Sequence, residues 1–312
     1  MKRGAIVGIA VAAAAVLVGG GLAWWLLARP PSVEDAARSY LDALSAGDFA
    51  SIDSMRSMRL DDATEQVIAD AFAGADGFVE DPRIEEIDPG DDMTRVRASV
   101  ELDGERRDLF FVMGNDGGRW ALVGDYLASL EVAPVLSGTD APAGDSAWVG
   151  GALAPARTPV PLLPAEYGLE PAPRGLLSGS GSVALSNDEP VTVALEASIT
   201  PEATSAAQAQ IDAYADECTR PAAAVPANCG LRVPWAADLA TLTSIAFRID
   251  QRPVLALAPD GRSFAATDGI VVATATGATR AGATASFTYR ADDWALRGSL
   301  SFQGDEMVLA VG

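Results

Sequence analysis

The sequence predicts an α+β protein: an N-terminal transmembrane helix, then a domain of helices and a curved antiparallel sheet, then a second, β-rich α+β domain. Three observations predict this class. An uncharged apolar run lies near the start of the 312-residue chain, helical apolar spacing follows it, and strand-like alternation dominates toward the C terminus. Helices followed by runs of strands are typical of α+β domains.

Residues 1–31 are predicted to form a membrane anchor. Residues 4–28 carry no charge, and about 25 apolar residues are enough for a helix to cross a bilayer. Because Lys2 and Arg3 precede this run, we expect a cytoplasmic N terminus and a single-pass protein whose bulk is extracytoplasmic at the cell membrane. A cleaved signal peptide is the alternative, but WWLLARPP follows where a cleavage site would have small residues.

Two amphipathic helices are predicted directly after the anchor. Apolar residues recur at helical spacing over residues 33–44, and Ser32 with Asp35 has the pattern of a capping box. Gly47 can end this helix in a left-handed conformation. The same period returns over residues 60–72, which predicts the second helix.

Antiparallel strands are predicted next. Apolar and polar residues alternate over Met93–Leu102, and Asp103-Gly104 is a strong signal for a two-residue hairpin turn. Residues 106–113 are predicted to return as the partner strand, with a further strand over residues 119–127. We therefore predict one α+β domain over residues 32–132, in which a curved sheet wraps the two helices.

The stretch SVEDAARSYLDALSAGDFASIDSM, followed by hairpins that end in GGRWALV, carries a resemblance. It resembles the nuclear-transport-factor-2-like (cystatin-like) domains that lie just outside the anchor in many Gram-positive envelope proteins, including class B penicillin-binding proteins. In those transpeptidases the domain is a stalk, and the transpeptidase itself is missing here. The whole chain is also similar to actinobacterial single-span proteins that carry a C-x(10)-C bracket after a helix.

Enzymes of the same superfamily build an isomerase or dehydratase pocket between helix and sheet. The resemblance therefore implies a candidate pocket in this chain, lined by Tyr40, Asp42, Trp120, Asp125 and Tyr126. Tyr40 lies on the apolar stripe of its helix, so the alternative is that it packs in the core while Asp42 is solvated.

Composition disfavours catalysis. The chain has no histidine, and Lys2 is its one lysine. Ser-His-Asp and Cys-His pairs, the P-loop lysine and Schiff-base lysines are therefore excluded. We predict a protein that is not an enzyme and has no catalytic residue, cofactor or metal site. Catalysis by carboxylates, tyrosine or arginine stays open, as does calcium binding, although the sequence has no D-x-[DN]-x-[DN]-G loop.

Residues 133–174 are rich in proline, alanine and glycine and are predicted to be a linker. The β-rich second domain is expected over residues 175–312. Within it, alternation predicts a strand over Val191–Ile199, and Thr200-Pro201 fits the start of a helix. Further strands are predicted around residues 245–249, 283–289, 294–302 and 307–311.

The two cysteines of the chain, Cys218 and Cys229, are expected to form a disulfide. They pair evenly, ten residues separate them, and thiols outside the cytoplasm meet an oxidising environment. A redox pair would have the spacing C-x-x-C, and a zinc site would need more ligands. Closing a loop of this size contributes about 2–3 kcal/mol to stability.

The net charge of −21 argues against nucleic acid as a partner, because phosphates would be repelled. The sequence favours a non-catalytic envelope protein that binds another envelope protein or acts as a scaffold. The alternative is a small-molecule binder or carboxylate-dependent enzyme that uses the candidate pocket.

Overall fold

The computed structural model describes residues 32–90 and 93–312. The predicted anchor over residues 4–28 lies outside them. Within the described ranges, every helix is too short or too polar to cross a membrane. The described chain divides into two compact units, the first formed by residues 32–60 and Val79–Leu127 and the second by Asp61–Phe78 and Ala128–Gly312.

The first unit contains two helices and a four-stranded antiparallel sheet. Its elements are α1 (Val33–Ala46), α2 (Phe49–Met55), β1 (Glu80–Pro89), β2 (Met93–Leu102), β3 (Glu105–Asp116) and β4 (Arg119–Gly124). The strands pair in the order β1-β2-β3-β4. The α+β class is therefore confirmed.

Local signals fix the ends of α1. The Ser32 side chain accepts a hydrogen bond from the amide of Asp35, and the Asp35 carboxylate accepts one from the amide of Ser32, so the predicted capping box is present. Gly47 ends the helix with φ of +66°. The apolar stripe of α1 buries Tyr40 and Leu44.

The predicted hairpin between β2 and β3 turns at Asp103 and Gly104, whose φ angles of +51° and +70° suit the right-handed twist of the strands. Strand β1 was not predicted. Its sequence, EDPRIEEIDP, contains two prolines and no clean alternation, and its pairing with β2 is interrupted by two register shifts. Such a strand is tolerated at a sheet edge, which is where β1 lies.

The second unit contains two helices, a short 3₁₀ turn and the remaining strands. Its elements are α3 (Asp62–Ala73), β5 (Ala128–Leu136), β6 (Ser146–Val149), β7 (Ala152–Pro155), β8 (Val160–Leu162), β9 (Ala165–Pro171), β10 (Leu177–Ser178), β11 (Gly181–Leu185), β12 (Val191–Ile199), α4 (Pro201–Cys218), the 3₁₀ turn (Trp235–Ala237), β13 (Thr241–Gln251), β14 (Val254–Leu257), β15 (Ser263–Ala278), β16 (Thr284–Gln303) and β17 (Glu306–Val311). The described strands pair as β10-β12-β5-β8, as β11-β9-β6-β7, and as β13-β15-β16-β17 with β14 beside β15.

The structure corrects the prediction that residues 133–174 form a linker, because this segment contributes strands to two of these sheets. Strands β5 to β9 cover most of it, and Val149, Leu162 and Tyr167 are fully buried. In β6 and β7 the buried positions include Ala147, Ala152 and Ala154, while the larger apolar residues Trp148 and Leu153 lie half-buried between them, so the sequence shows no clear strand periodicity. Strand β5 also pairs in parallel with β12, a partner about 60 residues away in the chain.

Helix α3, predicted for the first domain, belongs to the second unit, which is a further departure from the predicted boundaries. The chain that leaves α3 pairs with β9: the amide of Asp76 donates to the carbonyl of Glu166 over 2.8 Å, and the amide of Glu166 donates to the carbonyl of Gly77 over 2.8 Å. No local sequence pattern predicts that the segment after a helix will pair with a strand about 90 residues later.

The long strands β15 and β16 form the centre of a curled sheet. Two register shifts interrupt their pairing, which is the usual way in which long strands bend. Helix α4 begins after Thr200 as the sequence predicted, and it buries Ala207, Ile211 and Cys218, whereas Tyr214 is only partly buried.

Candidate functional site

Two of the five candidate pocket residues, Tyr40 and Tyr126, lie in contact inside the first unit. The hydroxyl of Tyr40 donates a hydrogen bond to the carbonyl oxygen of Tyr126 over 3.2 Å. The ring of Tyr40 packs edge-to-face on Phe111, with the centroids 4.8 Å apart. Tyr40 is 1% exposed, and this burial raises its pKa above the ordinary value near 10. The side chain of Tyr40 is therefore part of the core.

An arginine that the sequence did not single out completes this cluster. The Nε of Arg56 donates to the hydroxyl of Tyr126 over 2.9 Å, and its guanidinium lies 5.7 Å from the centre of the Tyr126 ring. The Arg56 side chain is 1% exposed, and Asp53 lies 3.4 Å from it as a counter-ion. A buried charge held in this way organises structure, since its donors already have acceptors.

The remaining three candidates are more exposed than Tyr40 and Tyr126. Asp42 is exposed on α1, as the alternative prediction had it. Trp120 is half-buried on β4, and Asp125 is exposed just after that strand, with φ of +55°. Both carboxylates among the five, those of Asp42 and Asp125, belong to exposed residues, whereas two carboxylates buried around one reacting group would have supported acid–base chemistry.

Replacing Tyr40 with phenylalanine should change how stability depends on pH. Burial raises the pKa of Tyr40 in the folded state above its value in the unfolded chain. The contribution of the neutral Tyr40 hydroxyl to the free energy of unfolding is therefore fully present below pH 10 and is lost as the pH rises beyond that value. We expect urea denaturation between pH 8 and pH 11 to show a shallower alkaline loss for Tyr40→Phe, by up to about 1.4 kcal/mol per pH unit. At pH 8 the variant should lose about 1 kcal/mol with its hydrogen bond. Identical alkaline slopes for both proteins would contradict this assignment.

Asp125 contributes instead to a groove on the outer face of the sheet. Two adjoining depressions of about 580 and 200 Å³ share Asp88, Arg95, Val112 and Asp125. Thr94, Val96 and Ala98 on β2 are buried, so by alternation Arg95 and Arg97 point to the opposite, outer face. We call these two adjoining depressions the outer groove.

The outer groove combines one aromatic ring with charges of both signs. Phe110, which also lines it, is 39% exposed although its neighbour Phe111 is buried. Arg97, paired in register with Phe110, lies 3.4 Å from Glu86. The guanidinium of Arg95 makes no hydrogen bond or ion pair with any described residue.

This arrangement is suited to binding. An exposed phenylalanine beside an arginine with no described partner offers both apolar area and a charge-assisted hydrogen bond. Across residues 32–90 and 93–312, no group of three or more carboxylate or cysteine side chains is placed to hold a metal ion. Only the register of β3 against β2 shows that Phe110 lies on the outer face, because the run LFFVM does not indicate which of its two phenylalanines faces outward.

Comparisons with known proteins add a single observation. No protein-family model and no curated protein matches the chain. Among solved structures, it is similar to a protein described as an NTF2-like transpeptidase from Campylobacter jejuni, with 18% sequence identity and a TM-score of 0.25. The match covers 30% of this chain and 99% of that chain. A TM-score this low carries no conclusion, so the cystatin-like fold stays a prediction.

Proposed function

We propose that this chain is a non-catalytic, single-pass envelope protein, held by its N-terminal segment, whose extracytoplasmic part binds another envelope protein. We further propose that the first unit is a cystatin-like domain acting as a binding stalk. The outer groove is the docking surface in this proposal.

The main support for this proposal is the placement of two adjacent phenylalanines on β3. Phe111 is buried in the core, whereas Phe110 is exposed to solvent in the groove that Arg95 and Arg97 also line. Burying an exposed aromatic ring is among the largest gains available to a protein interface, and arginine is the other residue enriched at such sites. We therefore infer a partner segment that carries an apolar side chain next to a carboxylate, which would pair with Arg95.

Two further observations support binding over the enzyme alternative. The buried hydroxyl of Tyr40 donates to the backbone carbonyl of Tyr126, and the hydroxyl of Tyr126 accepts from the Nε of Arg56, so both hydroxyls are already engaged in the core. Histidine is absent from the whole sequence, and lysine is absent after residue 2. Chemistry by carboxylates alone would need two of them converging in an apolar cavity.

The test places a photo-crosslinking amino acid at position 110 of the full-length protein in intact cells. We expect a discrete adduct with one envelope protein, and we expect its yield to fall about tenfold when Arg95→Glu is added, because like charges across an interface cost several kcal/mol. The matched control carries the same amino acid at position 58, since Met58 is 67% exposed in the same unit but outside the groove.

Each outcome of this experiment decides the proposal. Equal adducts from positions 110 and 58, or an adduct indifferent to Arg95→Glu, would show that the groove does not recognise the partner. Crosslinking to a cytoplasmic protein would contradict the proposed location.

A further inference from the structure

A second cleft lies within the second unit, between the loop that follows the disulfide and strand β16. It has a volume of about 490 Å³. One wall is the loop segment 230–234, and the other is formed by residues of β15 and β16, including Trp294 and Arg297. Neither the candidate pocket nor the outer groove includes any of these residues.

The loop is held against β16 at a defined point. Cys218 and Cys229 are bonded, with their Cα atoms 5.6 Å apart. The indole Nε1 of Trp294 donates to the carbonyl of Cys229 over 2.8 Å. The next residue, Gly230, has φ of +63°, and a Cβ there would overlap the carbonyl oxygen of Ala295. The loop therefore leaves the strand at Gly230, and the cleft opens beyond it.

Two arginines line this cleft with side chains that have no partner in the part of the chain that the structure describes. Arg232 comes from the loop and Arg297 from β16, and neither guanidinium makes a hydrogen bond or ion pair with a described residue. Most arginines in residues 32–90 and 93–312 bind a carboxylate or a carbonyl. Besides Arg95 and Arg262, these two are the exceptions. Two unpaired guanidiniums in one cleft stand out in a chain of net charge −21.

The rest of the lining limits the ligand. Val271, Ala273 and Pro234 supply an apolar surface, and Asp293 supplies one carboxylate. Arg290 also lines the cleft, but its guanidinium is already bound by Asp250 and Asp292. A single carboxylate in the lining repels a doubly charged anion more than a singly charged one.

We propose that this cleft binds a small monocarboxylate with an apolar body, of the size of an N-acylated amino acid or the last residue of a peptide. The planar guanidinium forks of Arg232 and Arg297 match the two oxygens of a carboxylate. The apolar lining receives the body of the ligand, and Asp293 can accept the N–H of its amide. A phosphate dianion could bind the same two guanidinium groups, but Asp293 would repel its second negative charge, and it has no apolar part to cover the apolar lining.

The experiment measures binding of N-acetyl-L-phenylalanine to the full-length protein in neutral detergent by titration calorimetry. We expect saturable binding that weakens at least about tenfold in Arg232→Gln and in Arg297→Gln, since each removes a charge-assisted hydrogen bond. Arg262→Gln is the matched control, because the Arg262 guanidinium has no partner among the described residues and Arg262 is exposed in the same unit but outside the cleft. Its affinity should equal that of the wild type.

Three further probes make the result decisive. The methyl ester of the same ligand should not bind, and inorganic phosphate should bind more weakly than the carboxylate. Arg232→Lys and Arg297→Lys keep the charge and should fall between the wild type and the glutamine variants. Thermal unfolding of every variant identifies any that fail to fold. No measurable binding, equal binding of acid and ester, tighter binding of phosphate, or an equal loss in Arg262→Gln would each overturn the proposal.

Discussion

Gly150→Ala is expected to destabilise the second unit by about 3–4 kcal/mol, one of the two largest effects we predict. Gly150 lies in the turn between β6 and β7 with φ of +55°, where a side chain is strained. A Cβ at this position would lie 2.6 Å from the carbonyl oxygen of Ala71 and 3.0 Å from that of Gly74. Both atoms belong to the backbone at the end of α3 and cannot move aside cheaply. Chemical denaturation followed by tryptophan fluorescence measures the loss.

Gly138→Ala separates the two causes of that loss. Gly138 has φ of +77° in the same unit, and nothing lies within 4 Å of its added Cβ. This variant therefore reports the cost of the left-handed backbone alone, which is about 1–2 kcal/mol. The excess for Gly150→Ala measures the close approach of α3 to the turn. If the two variants lose equal stability, that close approach does not contribute.

The features that the sequence predicted well are those with local causes. The capping box at Ser32 and the left-handed Gly47 need only neighbouring residues, and both bound α1 as expected. The hairpin turn is predicted by the dipeptide Asp103-Gly104 alone, and the burial pattern of β2 is predicted by the alternation within its own ten residues. The disulfide between Cys218 and Cys229 is confirmed for the same reason, since two cysteines offer only one pairing.

The features that the sequence missed depend on distant partners. Strand β5 is stabilised by β12, which begins more than 50 residues later, so residues 133–174 showed only their high proline and alanine content. Helix α3 was assigned to the wrong group of strands, because the glycines that let it approach the β6–β7 turn, Gly150 and Gly151, are remote from it in sequence.

The candidate site divides in the same way. Helical spacing correctly allowed Tyr40 as a core residue and Asp42 as a surface residue. Arg56 had no signal, because a buried arginine at the end of a short helix looks like an ordinary surface charge. Phe110 and Phe111 are adjacent and identical, and only their register against β2 decides which of them faces outward.

Both proposed binding surfaces contain arginine side chains that have no carboxylate partner within residues 32–90 and 93–312. An acidic protein has no shortage of carboxylates, so an arginine left without one is positioned by other constraints. In the outer groove Arg95 is held by strand alternation, and in the second cleft Arg232 follows a loop fixed by the disulfide and by Gly230. Removing water from these guanidinium groups is unfavourable unless a ligand supplies an opposite charge that compensates for the lost hydration.

Trp294→Ala is the second large effect, with an expected loss of about 4 kcal/mol. Trp294 is 2% exposed in the core of the second unit, and its truncation leaves a cavity there. The variant also leaves the carbonyl of Cys229 without its donor. Trp294→Phe keeps most of the packing and should lose only about 1–2 kcal/mol, chiefly from the missing hydrogen bond.

Trp235→Ala is the matched control for this prediction, because Trp235 is a half-buried tryptophan in the same unit. Its smaller buried area should limit the loss to about 1–2 kcal/mol. Urea denaturation of the three variants gives the comparison directly. Since Trp294 holds the loop at Cys229, Trp294→Phe should also weaken carboxylate binding in the cleft while Trp235→Ala should not. A loss for Trp294→Ala no larger than that for Trp235→Ala would mean that the tryptophan does not anchor the disulfide loop.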